Sequence, residues 1–131
     1  MNLFSPKDLP PPVGYSHVAK LSGEGLVFIA GQVPRDASGA LVGEGDFAAQ
    51  LEQVFKNLLI AVEAAGGSMR DIVKLNYYCV DTVDPAKIPL VREVRDRYVD
   101  TARPPTSTFV VVRRLVRPKW LIEIEAVAAI A

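Results

Sequence analysis

Apolar residues recur along this chain with two different periods. From Phe47 onward, Leu51, Val54, Phe55, Leu58, Leu59 and Val62 follow at three- and four-residue spacing, the period of one helical face. Asp46 stands where an N-cap side chain accepts a first-turn N–H, and Gly66-Gly67 stops the pattern because glycine readily takes the left-handed conformation that closes helices. The spacing therefore predicts a helix from Asp46 to Gly66.

Elsewhere the period is two. In "DIVKLNYYCVD", Val73, Leu75, Tyr77 and Cys79 are expected on one face of a strand, with Lys74, Asn76 and Tyr78 on the other. "GYSHVAKL" and "LVFIAGQV" read as strands joined by a hairpin turn at "SGEG". The turn-dense "PRDASGALVGEGD" has room for a short strand near Leu41. "DPAKIPLVREVRDRYVD" reads as a second helix with an irregular start, since Pro89 cannot donate an intrahelical bond. Two further strands are expected over roughly 107–113 and 119–130, and the proline-rich start, 1–14, reads as an extended arm.

The predicted order is β-β-(β)-α-β-α-β-β in a single domain spanning 1–131. Two helices can cover one face of a five- or six-stranded mixed sheet, an α/β (α+β) arrangement. The opposite face would still carry Val110, Val112, Leu121 and Val127. An apolar face of that kind needs a cover, so the expectation is a homo-oligomer whose pocket lies between subunits.

Composition removes several function classes. Fifteen basic and fifteen acidic residues cancel, so there is no electrostatic footprint for nucleic acid or an anionic membrane. No apolar run has signal-peptide or membrane-span length, and the single cysteine cannot form an internal disulfide. A soluble cytoplasmic protein is expected. One histidine and one cysteine far apart make no zinc pattern, and neither a dinucleotide fingerprint nor a P-loop is present.

His17 reads as a partly buried structural histidine, because Ser16 beside it points to the other face of a strand. Cys79 reads as core. Glu123 and Glu125 share one face of the last strand with Leu121, Val127 and Ala129. A carboxylate among apolar neighbours is desolvated and suited to proton transfer near neutral pH; on an exposed edge both would be solvated charges. The pattern leaves those readings open. In "RPPTSTFVVV" three hydroxyls, Thr106, Ser107 and Thr108, stand at the start of a strand and are expected to line a ligand cleft. Tyr15 lies where the arm becomes a strand, and Gly31 allows close approach of the backbone. Arg92, Arg95, Arg97, Arg113, Arg114 and Arg117 are each either solvated charge or a carboxylate clamp.

Taken together, "GYSHVAK", "LVFIAGQVPRDASGALVG", "LIAVEAAGGSMRDIVKLNYYCVD", "RPPTST" and "IEIEAVAAI" resemble the Rid family, also called YjgF and, in older usage, endoribonuclease L-PSP. The resemblance spans nearly the whole chain. It implies a chorismate-mutase-like fold, a homotrimer with clefts between subunits, a small-molecule ligand and no cofactor. Active members hydrolyse imines and enamines derived from 2-amino acids to a 2-oxo acid and ammonia. Carried over by motif, the proton-handling glutamate falls on Glu123, the pocket tyrosine on Tyr15, and the "SGQ" element on Ala30, Gly31 and Gln32.

One departure bears on chemistry. The family's "PARS" or "PART" arginine, which pairs with the substrate carboxylate, falls on Thr106, and a family asparagine falls on Arg92. Loss of a charged clamp from a buried partner costs about 2–5 kcal/mol, roughly one and a half to three and a half decades in rate. The expectation is a deaminase with weak or altered activity on ordinary 2-imino acids. The alternative is a non-catalytic binding or interaction trimer, and a ribonuclease ranks below both.

Overall fold

The computed structural model describes residues 2–21, 23 and 25–131. Its strands are β1 (Asn2–Phe4), β2 (Val18–Lys20), β3 (Leu26–Gln32), β4 (Ile72–Val80), β5 (Thr106–Val112) and β6 (Ile122–Ala129), with helices α1 (Phe47–Ala64) and α2 (Pro89–Arg95). They form one mixed six-stranded sheet in the order β1-β2-β3-β6-β4-β5. Among the described residues only the β4–β5 pair is parallel, and α2 lies in the crossover between those strands, as parallel pairing requires.

The α1 boundaries follow the sequence signals. Asp46 accepts from the Ala49 N–H at 3.0 Å, and Gly66 has φ +90°. The buried stripe of Leu51, Val54, Phe55, Leu58 and Val62 faces Leu75, Tyr77, Ile122 and Ile124 of the sheet in one core. Pro89 occupies the start of α2, where a missing N–H has no helical partner to lose, and a 3₁₀ turn, Pro85–Lys87, precedes it. The segment near Leu41 forms a single bridge to Arg35 rather than a strand. In the predicted "SGEG" turn, Ser22 and Glu24 lie outside the described residues.

Three expectations change. The extended arm also joins the sheet, because Asn2–Phe4 pairs antiparallel with Val18–Lys20. The strand expected from "GYSHVAKL" is short and begins only at Val18. Val73 does not share a face with Leu75: it is 42% exposed at a bulge where β4 gains a residue against β6, between the pairs Ile72–Ala128 and Lys74–Val127. A bulge resets alternation, and nothing in a valine announces it.

The helices cover one face of the sheet. The other carries Phe28 and Val110, 46% and 40% exposed, with Val127 between their strands. The carboxylates of Glu123 and Glu125 stand on this open face too. Among the described residues no helix is long and apolar enough to cross a membrane.

Candidate functional site

The site is organised by a second bulge. Ile29 pairs with Ala126 and Gln32 with Ile124, so Ala30 and Gly31 together face Glu125 on β6. The extra residue turns Gln32 inward, where its side chain is buried. Its amide donates to Ala30 O at 3.0 Å and lies 3.0 Å from His17 Nδ1. A donor at Nδ1 makes that nitrogen an acceptor, which places the ring proton on Nε2, 2.9 Å from Pro10 O. His17 is therefore a satisfied structural histidine that fastens the arm to β3. Tyr15 packs edge-on against its ring, with centroids 5.1 Å apart.

With Gln32 turned in, Gly31 meets Glu123. A β-carbon at position 31 would lie 2.7 Å from Glu123 Oε1 and 2.9 Å from its Cδ, so the carboxylate rests against bare backbone. Glu123, Gly31 and Tyr15 line one cavity of about 440 Å³ together with Arg35, Arg117 and Trp120. Burial, and secondarily the charge of Glu125, pushes the Glu123 carboxyl above the ordinary carboxylate range. The reading of both glutamates as solvated charges on an exposed edge is excluded, because β6 is central in the sheet.

The two carboxylates are not equivalent. Glu125 Oε1 accepts from Asn76 Nδ2 and from the Tyr78 phenol, both at 2.8 Å. That bond holds the Tyr78 phenol above its usual value, so it remains a donor. Glu123 has no side-chain donor among the described residues. Glu125 is thus committed to two donors, whereas Glu123 is desolvated and free of them.

The hydroxyl run is divided. Thr106 and Thr108 lie opposite Lys74 and Asn76, and Ser107 opposite Leu75, so Ser107 is on the helix-covered side of this edge strand. The Thr106 hydroxyl donates to Val73 O at 2.7 Å, covering the carbonyl of the β4 bulge. It lines a separate cavity of about 390 Å³ with Arg70 and Arg103. Within one chain the structure thus brings Tyr15, Gly31 and Glu123 together and leaves Thr106 and Thr108 elsewhere. Arg92, with its side chain 80% exposed, pairs with Asp96 at 3.7 Å. Arg113 and Arg114 are exposed after β5. Cys79 is core, its thiol pushed up to about 11 by burial.

Residues beyond the sequence reading hold the cavity wall. Asn57 Nδ2 donates to Val33 O and Arg35 O at 3.1 and 2.9 Å. Gln50 donates to Gly43 O and Lys119 O, each at 3.0 Å, and accepts from Leu121 N at 2.8 Å. Both amides are buried on α1. Polar residues at core positions of an otherwise apolar helical stripe were the signal available for them; Arg35 sat in a turn-rich segment that offered none.

The sequence profile described as Endoribonuclease L-PSP matches residues 6–130. A RutC family protein of Pyrococcus horikoshii is 39% identical, covering 93% of this chain and 92% of its own length. The 3-aminoacrylate deaminase RutC of Acinetobacter baylyi is 30% identical over 96% of this chain and 95% of its own. Among solved structures, RidA from an Antarctic Psychrobacter superposes with a TM-score of 0.86 at 31% identity, covering 99% of this chain and all of the other. TdcF of E. coli with bound serine gives 0.85 at 28% identity, with both chains fully covered. Profile, relatives and fold agree over almost the whole length: the chain belongs to the Endoribonuclease L-PSP family, the Rid or YjgF proteins.

Proposed function

We propose that this protein hydrolyses an imine or enamine to the corresponding oxo compound and ammonia, with Glu123 as the proton-transfer group, in a cleft completed by a neighbouring subunit of a cytoplasmic homotrimer. The observation that carries this reading is the Glu123 carboxylate: desolvated, without a side-chain donor, and set against Gly31 in a cavity that also holds Tyr15.

An imine carbon is already electrophilic, so catalysis consists of positioning water and moving protons. Protonated Glu123 donates to the enamine carbon or the imine nitrogen. Once ionised, it accepts a proton from the water that adds to the carbon. The carbinolamine collapses with release of ammonia, leaving the carbonyl. A carboxyl raised above its ordinary range suits both roles better than an unshifted one. One relative's name, 3-aminoacrylate deaminase, describes an enamine substrate, and another was solved with bound serine; both support a small amino-acid-derived ligand.

The shared cleft is supported by two features. Phe28 and Val110 are exposed on the open sheet face, and Thr106 and Glu123 line different cavities of one chain. Packing of copies on that face would join half-sites from two subunits. The Thr106 hydroxyl already donates to Val73 O, so it has no proton for a substrate carboxylate. That supports weak activity on small 2-imino acids, and it is also the observation favouring a binding trimer without catalysis.

The test is hydrolysis of 2-iminopropanoate and 2-iminobutanoate, generated in situ, by wild type and Glu123→Gln. Turnover that vanishes with Glu123→Gln is the expected result. Turnover indifferent to that change removes Glu123 from the mechanism, and no turnover of any imine leaves the binding reading.

A further inference from the structure

Two guanidinium groups share the cavity of Glu123. Arg35, Arg117 and Trp120 line it, and the same three residues line an adjoining cavity of about 430 Å³ that continues toward Leu41 and Lys119. Neither arginine pairs with a carboxylate among the described residues, although Arg70, Arg92, Arg95, Arg97 and Arg103 all do. The Arg35 guanidinium is oriented by its Nε donating to Gly39 O at 2.9 Å, which leaves its terminal nitrogens available.

The loops carrying these arginines are held from behind. Asn57 fixes the backbone at Arg35, and Gln50 fixes the carbonyl of Lys119 and the N–H of Leu121 on either side of Trp120. Gln50 and Asn57 are seven residues apart, hence on one face of α1. Two buried amides committed to two neighbouring loops fix the wall before any ligand arrives, which lowers the ordering cost of binding.

We infer that Arg117, with Arg35 beside it, is the carboxylate clamp of this cleft, and that the ligand is a 2-imino acid with a branched or larger apolar side chain. A guanidinium fork matches a carboxylate in two parallel bonds, whereas Thr106 is committed to Val73 O. Val13, Val33, Val116 and Trp120 supply the apolar lining, and a hollow of about 440 Å³ is of the size that accepts ligands well beyond three carbons. The inference rests on the proposed role of Glu123 for its chemistry but not for its binding.

The test uses binding and turnover side by side. Trp120 is the only tryptophan, so its fluorescence reports this wall. Titrate wild type, Arg117→Gln, Arg117→Lys, Arg35→Gln and the surface control Lys87→Gln with 4-methyl-2-oxopentanoate, and wild type with the uncharged 4-methyl-2-pentanone. Measure kcat and KM for the imine generated in situ from leucine. Arg117→Gln should weaken acid binding at least tenfold and raise KM with little change in kcat. Arg117→Lys should recover part of the loss, Arg35→Gln should show a smaller loss, and Lys87→Gln none. The clamp is overturned if both glutamine variants bind the acid as wild type does, if the ketone binds as tightly as the acid, or if wild type binds neither. Arg117-dependent binding without turnover of any imine would uphold the clamp and remove the deaminase reading; Glu123-dependent turnover indifferent to Arg117 and Arg35 would do the reverse.

Discussion

Gly31 and Glu123 are in direct contact across the β3–β6 pair: a β-carbon at position 31 would stand 2.7 Å from Glu123 Oε1. The glycine makes room for the acid, and the bulge that holds it turns Gln32 into the core.

Gly31→Ala should therefore displace the carboxylate and leave the fold intact, because the atoms that must yield belong to a flexible side chain. Misplacing a catalytic group by about 1 Å costs on the order of 100-fold in rate. We expect kcat to fall roughly 10- to 100-fold with the melting temperature nearly unchanged. A fully active Gly31→Ala enzyme would separate Glu123 from the chemistry.

Glu123 also imposes a pH dependence. Burial raises its carboxyl in the folded chain above the unfolded value, so between those values the folded state holds more protons. Stability then falls as pH rises through that window. Glu123→Gln should raise the melting temperature at pH 8, and the difference from wild type should shrink toward pH 4. A constant offset across pH would contradict a desolvated carboxylate.

His17→Ala removes the ring that joins Pro10 O to the Gln32 amide. Leaving such buried groups unpaired costs about 1–3 kcal/mol, so a melting point lower by roughly 5–10 °C is expected. Proteolysis should locate the first cleavage in the arm before residue 17. Unchanged stability would mean the arm is held by other contacts.

Thr106→Arg tests the shared cleft. If the site joins two subunits, co-expression of wild type with the double variant Thr106→Arg/Glu123→Gln should form mixed trimers. In these the introduced guanidinium of one copy meets the intact Glu123 of another. Hydrolysis of 2-iminopropanoate should then exceed that of either parent by about tenfold or more. Equal rates for the mixture and wild type would place the two positions in separate functions.

Val110→Glu puts a charge on the open sheet face, which also exposes Phe28. Light scattering at micromolar concentration should give three times the chain mass for wild type and a smaller species for the variant. A wild-type monomer would remove the trimer and with it the shared cleft.

The local elements were legible from local physics. Asp46, the stripe ending at Val62 and Gly66 define α1 because capping and periodicity act within a few residues. Glu123 stood out because a carboxylate recurs in an apolar strand. The bulges at Val73 and at Ala30-Gly31 were not legible, since a bulge depends on the register of a partner strand and the residues themselves are ordinary strand formers or a glycine with several uses. The hydroxyl run looked like one wall, yet alternation across β5 and the bond from Thr106 to Val73 O divide it.

The sequence by itself determined the two helices, the principal strands and that one sheet face lacks a cover. Only the tertiary structure decided which charges share a cavity. Arg35 and Glu123 are brought to one wall because β3 lies beside β6 and because Asn57 and Gln50 reach from α1 to the loops behind Arg35 and Trp120. Hydrophobic periodicity encodes the face a residue takes within its own element; proximity between loops depends on strand order and buried polar anchors, which one-dimensional spacing does not carry.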